Sequence, residues 1–372
     1  MPNFVIMRNV VVLVFLVFMN VTFAKEYVVP AGKDVSRFFA ELPEDATQVS
    51  FSAAAEYNAN ADILLPDRRL LVIDGKGCTL FLGPNSNGFT RAVADQQEAM
   101  KKISSRYVIR DFASIENGRK AIDLKATLGS IVENCRLVNQ SECAVDLRFC
   151  LMARLQNVQV TNPRGKGILL RQGDWTGATA FNSQCNSSVL QQCRVYCSKT
   201  TTEAFAVLNS GGVRIEDCVS EGAPCAHDLF LSATTDGDET RPASNTVVKS
   251  FTLSNFHVEH AATTASIYVN MPSKAAVTLS NVYWNAQQSA PVIVYVMGQL
   301  NLLDIGWFRP EFRIHTRISA PRINVDRCHN ALSFGKKEER TDSRAGVLYL
   351  KDALPNNTQL KLNYVRVSKP SL

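Results

Sequence analysis

Arg194 and Tyr196, Glu221, His257 and Glu259, and Tyr283 and Asn285 each follow an inward-type anchor residue by one or three positions. In an extended strand those two positions share one face. If the strands stack in register, the result is a strip carrying a guanidinium, two phenols, two carboxyls, an imidazole and an amide. Two carboxyls held one strand apart can divide the roles of proton donor and base, nucleophile or cation ligand. His257 or Tyr196 can serve as a general base, and Arg194 can neutralise a substrate carboxylate. The set therefore offers acid–base chemistry that would serve either hydrolysis through Glu221 and Glu259 or elimination next to a carboxylate.

A second set lies upstream. Ile122-Asp123-Leu124-Lys125 returns as Val145-Asp146-Leu147-Arg148 and as Ile168-Leu169-Leu170-Arg171, each copy 23 residues after the last. With the apolar residues inward, Lys125, Arg148 and Arg171 form an outward row of positive charge. Such a row can follow carboxylates or sulfates along an acidic polysaccharide. The plainer expectation is a solvated face whose bases pair with Asp123 and Asp146. Trp175, in the polar stretch "RQGDWTGATAFNSQCNSS", offers a flat platform for a sugar ring. The acidic stretch from Asp236 is the one place that allows Ca2+, without the spacing of an EF-hand loop. His227 reads as a structural histidine.

These residues are positioned by a repeat. A polar residue followed by an apolar or cysteine anchor recurs as Asp111-Phe112, Asn134-Cys135, Asn157-Val158, Gln192-Cys193, Asp217-Cys218, Asn255-Phe256, Asn281-Val282 and Asp304-Ile305. The spacings are 23, 23, 35, 25, 38, 26 and 23 residues. Short strands of period two, as in "FTLSNFHVEH" and "VTLSNVYWNA", fill the units. Strands at this period form a solenoid, because one unit cannot bury its own apolar face. The polar column belongs at a turn, where side-chain amides bond to one another and to backbone. Cys135, Cys193 and Cys218 then point inward as core residues. The two long units carry loops, expected to wall a groove beside the strip.

Residues 1–24 read as a secretory leader, with Arg8 before the apolar run from Val10 to Met19 and Thr22-Phe23-Ala24 at the cleavage end. The apolar run is too short for a stable membrane span. Removal of the leader leaves 348 of the 372 residues, expected as one β-helix domain over residues 25–330 and a C-terminal cap or extension over 331–372. The net charge of +6 suits acidic partners but is spread too thinly for nucleic acid. Ten cysteines in an oxidising setting permit disulfides. No CxxC pair or zinc-type Cys/His spacing occurs, which argues against metal ligation by thiolate.

The repeat, together with the start "VVPAGKDVSRFFAELPEDATQVSF", resembles the right-handed parallel β-helix, pectin-lyase-like superfamily over Tyr27 to Asn330. The resemblance implies an all-β, single-stranded right-handed parallel β-helix, with a short N-terminal helical cap from Asp34 to Leu42. It also implies a secreted protein acting on an acidic polysaccharide as a lyase or glycoside hydrolase. The active-site motifs of polygalacturonases, alginate epimerases and pectate lyases are not found in the chain. A noncatalytic glycan-binding module, adhesin or tailspike-like, is the alternative, with oligomerisation through a sheet face and a trimer in the tailspike case.

Overall fold

The computed structural model describes residues 25–233, 250–270, 275–285, 290–296, 299–305, 312–316, 322–326, 331–334, 347–350 and 359–363. Among these, strands form a 17-stranded sheet and a 12-stranded sheet. Each strand pairs in parallel with its equivalent one coil away, so Ile122 lies beside Val145 and Val145 beside Ile168. The 23-residue repeat is thus one coil of the expected all-β, single-stranded right-handed parallel β-helix. Period-two alternation sends Val132, Leu137, Leu155, Val158 and Val160 of successive coils into one continuous core. Cys135, Cys193 and Cys218 join them there.

The polar column is where each coil bends. Asp111, Asn134, Asn157, Gln192, Asp217, Asn255, Asn281 and Asp304 all adopt φ between 49° and 58°. That left-handed conformation costs an ordinary L-residue roughly 1–2 kcal/mol, and Asn and Asp tolerate it best after glycine. The bend divides Val189–Gln191 from Arg194–Cys197 at Gln192, and Val213–Glu216 from Val219–Gly222 at Asp217. Side chains also link along the column. Asn134 Nδ2 donates to Asp111 Oδ1 at 3.0 Å, Asn157 to Asn134 at 2.9 Å, and Asn255 to Asp217 at 2.8 Å, and Asn281 donates to Asn255.

The helix α1 covers Val35–Ala40, shorter than Asp34 to Leu42 because Asp34 caps it and Glu41 ends it. Asp34 Oδ1 accepts from Arg37 N at 3.1 Å, while Oδ2 accepts from Asn60 N at 2.9 Å and ties the helix to the next coil. A second helix, α2 (Gln96–Lys101), has no counterpart in the sequence expectations. Asp95 caps it, accepting from Glu98 N at 2.8 Å. The boundary expected at residue 330 falls outside the described residues. Beyond it, Val347–Leu350 and Gln359–Asn363 pair in parallel with Phe312–Thr316 and Arg322–Asp326. The leader reading of residues 1–24 also lies outside the described residues. Among those described, no helix is long and apolar enough to cross a membrane.

The ladder gives a direct test. Asn157→Gly keeps the backbone conformation and loses only a side-chain link, so its urea midpoint should stay close to that of the parent. Asn157→Val places a β-branched residue at φ 52° and should cost about 1–3 kcal/mol. Equal midpoints for the two variants would show that the left-handed bend is not the constraint.

Candidate functional site

The strip forms where strands Arg194–Cys197, Val219–Gly222, Ser250–Val258 and Ala276–Trp284 pair. Arg194 lies beside Val219, Val219 beside His257 and His257 beside Tyr283. Tyr196 lies beside Glu221, and Glu259 N donates to Ser220 O at 2.9 Å, which brings Glu259 to the next rung. Asn285 follows through its N–H, which bonds Val258 O at 2.8 Å. The seven residues singled out on these strands therefore share one outer face.

Their side chains pair differently from the expected facing carboxyls. Glu221 turns to Arg194 of the preceding coil, with Oε1 3.3 Å from Nε and the two side chains 16% and 54% exposed. Glu259 turns to His257 on its own segment, Oε1 lying 3.6 Å from Nδ1, and remains 40% exposed. Opposite or polarisable partners are available to both carboxyls, so neither needs to face the other. The His257 ring packs against Tyr283, centroids 4.8 Å apart, and Tyr196 stands 48% exposed at the edge.

The row Lys125, Arg148 and Arg171 belongs to the other sheet and is not a free, solvent-facing row. Asp123, Asp146 and Arg148 are buried. Arg148 binds Asp123, reaches both oxygens of Asp174 at 2.9 and 2.8 Å, and lies 3.5 Å from Asp146. Arg171 reaches Asp146 at 2.9 Å and Asp174 at 3.1 Å, and Lys120 reaches Asp146 at 2.8 Å. The physical cause is a cover over this face, since charges removed from water must be paired. Ala99 of α2 packs on Ala126 and Phe149, and Asp174 comes from the long unit after Arg171. Trp175 is part of this cover too: its ring packs on Phe149 with centroids 6.4 Å apart, and Nε1 donates to Gln96 Oε1 at 2.9 Å. The long unit thus closes the second sheet and does not wall a groove beside the strip. In the other long unit, residues 234–249, which carry the Ca2+ candidate at Asp236, lie outside the described residues.

Burial pushes the Asp146 carboxyl up, but Arg171, Arg148 and Lys120 outweigh it and hold the group far below the usual carboxylate range. Lys125, desolvated and next to Arg148, is held below the usual lysine range.

Directly behind the strip lies a polar cluster that the sequence did not reveal. Asp228 is 0% exposed. Its Oδ1 accepts from Ser220 Oγ at 2.7 Å and sits 2.8 Å from His260 Nε2, while Oδ2 accepts from Ser266 Oγ at 2.7 Å. Trp284 Nε1 donates to Ser266 Oγ at 2.8 Å. Cys225 Sγ lies 3.4 Å from His260 Nε2, and donor atoms of Cys197, Cys225 and His260 all fall within 4.8 Å of one another. Burial opposes charge on His260, yet Asp228 and Cys225 prevail and raise its pKa to about 10. The Cys197 thiol and burial together push the Cys225 thiol far up. The signal available in the sequence was alternation alone: Cys197, His260 and Trp284 each follow a strip residue and so point inward. His227, its neighbour, faces the other way and packs against Phe230 and Tyr268, with ring centroids 4.9 and 6.0 Å away. The nine described cysteines are all buried and reduced, so the disulfides that their number permits are not formed among them.

No protein-family model and no curated protein matches the chain. Among solved structures, a catalytic domain of GH87 alpha-1,3-glucanase in complex with tetrasaccharides is similar, with a TM-score of 0.50 at 12% identity over 91% of this chain and 68% of that one. The same kind of domain in complex with nigerose gives 0.46 at 14% identity, over 92% and 66%. The chain thus spans about two thirds of the length of those domains. At this identity the likeness shows a shared fold, the right-handed parallel β-helix, and no more.

The buried ion network makes stability pH-dependent. Asp146 holds a proton less tightly folded than unfolded, so its contribution is fully present above the ordinary carboxylate pKa of about 3.9 and is lost as the pH falls below it. The denaturant midpoint should therefore drop steeply on acidification through that range. Asp146→Asn should flatten this limb and cost about 3–5 kcal/mol at neutral pH, because it leaves buried cations short of an anion. An unchanged acid limb in the variant would assign the dependence to other groups.

Proposed function

We propose that the strip is a glycan-cleaving site and that the protein is a polysaccharide-acting glycoside hydrolase. The observation that carries this reading is the pair Glu221 and Glu259, one coil apart on a partly exposed face, each beside a basic group. Coils are spaced by about 4.8 Å, so rotation of Glu221 off Arg194 and of Glu259 off His257 would let the two carboxyls approach the roughly 5–5.5 Å of a retaining hydrolase. Glu221, half-buried and paired with Arg194, is suited to act as nucleophile. Glu259, more exposed and adjacent to His257, is suited to protonate the leaving oxygen and then to activate water. Tyr196 provides an exposed ring for a sugar to stack upon, with Tyr283 and Asn285 completing the surface.

Hydrolysis fits better than elimination. A lyase needs a cation to neutralise the uronate carboxylate; Arg194 could do so only by first leaving Glu221, which would unpair that carboxyl, and Arg148 is buried among acids. The same pairing removes the main local argument for an acidic substrate, leaving the net charge of +6 as its support. The shared fold with a domain whose structure is described in complex with tetrasaccharides adds a neutral glucan to the candidates. A polymer of either kind is met outside the cell, in keeping with the leader read in residues 1–24.

The second reading is a noncatalytic glycan-binding module, favoured by the ion pair that already occupies Glu221. One experiment separates the readings. The protein is incubated with neutral glucans and with uronate-containing polysaccharides, and reducing ends and unsaturated products are followed together. New ends without unsaturated products are expected, and Glu221→Gln and Glu259→Gln should each lower kcat by about 10²–10⁴-fold. Unsaturated products would overturn hydrolysis in favour of elimination. Absence of cleavage, with retention on an immobilised glycan that Tyr196→Ala weakens, would establish the binding module instead.

A further inference from the structure

We propose that Cys197, Cys225, His260 and Asp228 form a closed structural site for Zn2+ or a chemically similar divalent transition ion. The site lies inside the helix, beneath the strip, and its assignment does not depend on what the strip does. Two thiolates, an imidazole and a carboxylate are the donor set that zinc prefers. Structural zinc is four-coordinate and tetrahedral, with Zn–S about 2.3 Å and Zn–N about 2.0–2.1 Å. Those bond lengths require donor–donor edges of roughly 3.3–3.8 Å. The structure places Cys225 Sγ 3.4 Å from His260 Nε2 and 3.9 Å from Asp228 Oδ1, with Nε2 to Oδ1 at 2.8 Å. Cys197 Sγ lies within 4.8 Å of Cys225 Sγ and of a His260 ring nitrogen, and Asp228, outside that three-donor group, would move toward Cys197 to close the site as the fourth ligand. Shifts of a few tenths of an ångström would bring the three measured edges to tetrahedral values.

Burial and support distinguish this group from ordinary core cysteines. All four residues are buried, so no coordination position opens to solvent and the site is suited to hold an ion, not to activate water for a substrate. Ser220 and Ser266 orient Asp228, and Trp284 in turn holds Ser266, an outer shell of the kind that fixes a ligating carboxylate. Cys150 with Cys185, and Cys193 with Cys218, also meet across coils. Among the described residues, only Cys197 and Cys225 have a histidine whose donor atom converges with theirs. The donors come from consecutive coils: Cys197 ends Arg194–Cys197, Cys225 lies between Val219–Gly222 and His227–Ser232, and His260 follows Ser250–Val258. Ion binding releases to solvent the two thiol protons and the proton that His260 Nε2 donates to Asp228, and Nε2 then bonds the metal while Nδ1 keeps its proton. The ion would then pin the residues next to Tyr196 and Glu259 on the outer face.

The test uses the full chain, reduced, stripped with a chelator and re-metallated with Zn2+ or with Co2+ as a spectroscopic probe. Elemental analysis should find one Zn2+ per chain, and the Co2+ form should show thiolate charge-transfer absorption with the visible bands of a tetrahedral centre. Cys197→Ser and Cys225→Ser should lose both signals, while Cys193→Ser should keep them. Stripping should lower the Tm of the parent, which tests the structural role without any variant. The proposal fails if re-metallated protein holds substoichiometric zinc without the Co2+ bands, or if Cys197→Ser retains the full signal. It fails equally if peptide mapping of the protein as isolated shows Cys197 and Cys225 joined as a disulfide.

Discussion

The left-handed residue in each coil is the constraint on which the rest depends. From Asp111 to Asp304, one side chain per coil sits at φ near 50° and bends the strand at the same height as in its neighbours. Side chains alternate with period two, so a slip of a single residue would turn every inward side chain outward. Fixing the column residue of each coil in this conformation, and linking several of them through amide-to-oxygen bonds, keeps the phase of each strand. The 35- and 38-residue units show how strict this is. Whatever length intervenes, Gln192 and Asn255 return to the column.

Phase then decides what each strand end presents on its two faces. Tyr196 and Cys197, Glu259 and His260, and Tyr283 and Trp284 are adjacent pairs, the first member outward and the second inward. The outer members make the strip, and most of the inner ones make the buried polar cluster around Asp228. A buried carboxylate with three hydrogen-bonding partners is costly to disturb. The strand ends that carry the strip are therefore anchored from behind, and this matters for a site built on strand termini next to turns. Rigidity here comes from polar groups inside an otherwise apolar core.

Much of this architecture was legible in the sequence because it is periodic. The 23-residue interval, the Asn/Asp column and the alternation in "VTLSNVYWNA" each follow from one coil being stacked on the next. The shared face of Arg194, Tyr196, Glu221, His257, Glu259, Tyr283 and Asn285 follows from the same rule. Periodicity fails at what is not repeated. Nothing in the interval shows that α2 and the segment carrying Asp174 and Trp175 fold over the second sheet, so Arg148 read as exposed although it is buried among carboxylates. Side-chain pairing was equally hidden, because register puts Glu221 and Glu259 on adjacent rungs but does not say that each will turn to a basic neighbour. The spacing of Cys197, Cys225 and His260 has no meaning along the chain, since their convergence exists only once three coils are stacked.

The two outer faces also differ in how they handle charge, and the difference bears on which can be a site. On the second sheet, Arg148 and Arg171 share Asp123, Asp146 and Asp174, and the cover over them makes their pairing obligatory. A glycan could reach Arg148 only by displacing the cover and exposing Ala126 and Phe149, and Arg171 is already shared between Asp146 and Asp174. On the strip, the ion pair of Arg194 with Glu221 is open to water on the arginine side, so its net strength is small and a ligand can compete for either partner. Weakly held, exposed charge can be recruited by a substrate, whereas deeply paired charge is committed to the fold. Under the proposed function, a glycan would therefore be met on the accessible strip and not on the more densely charged face.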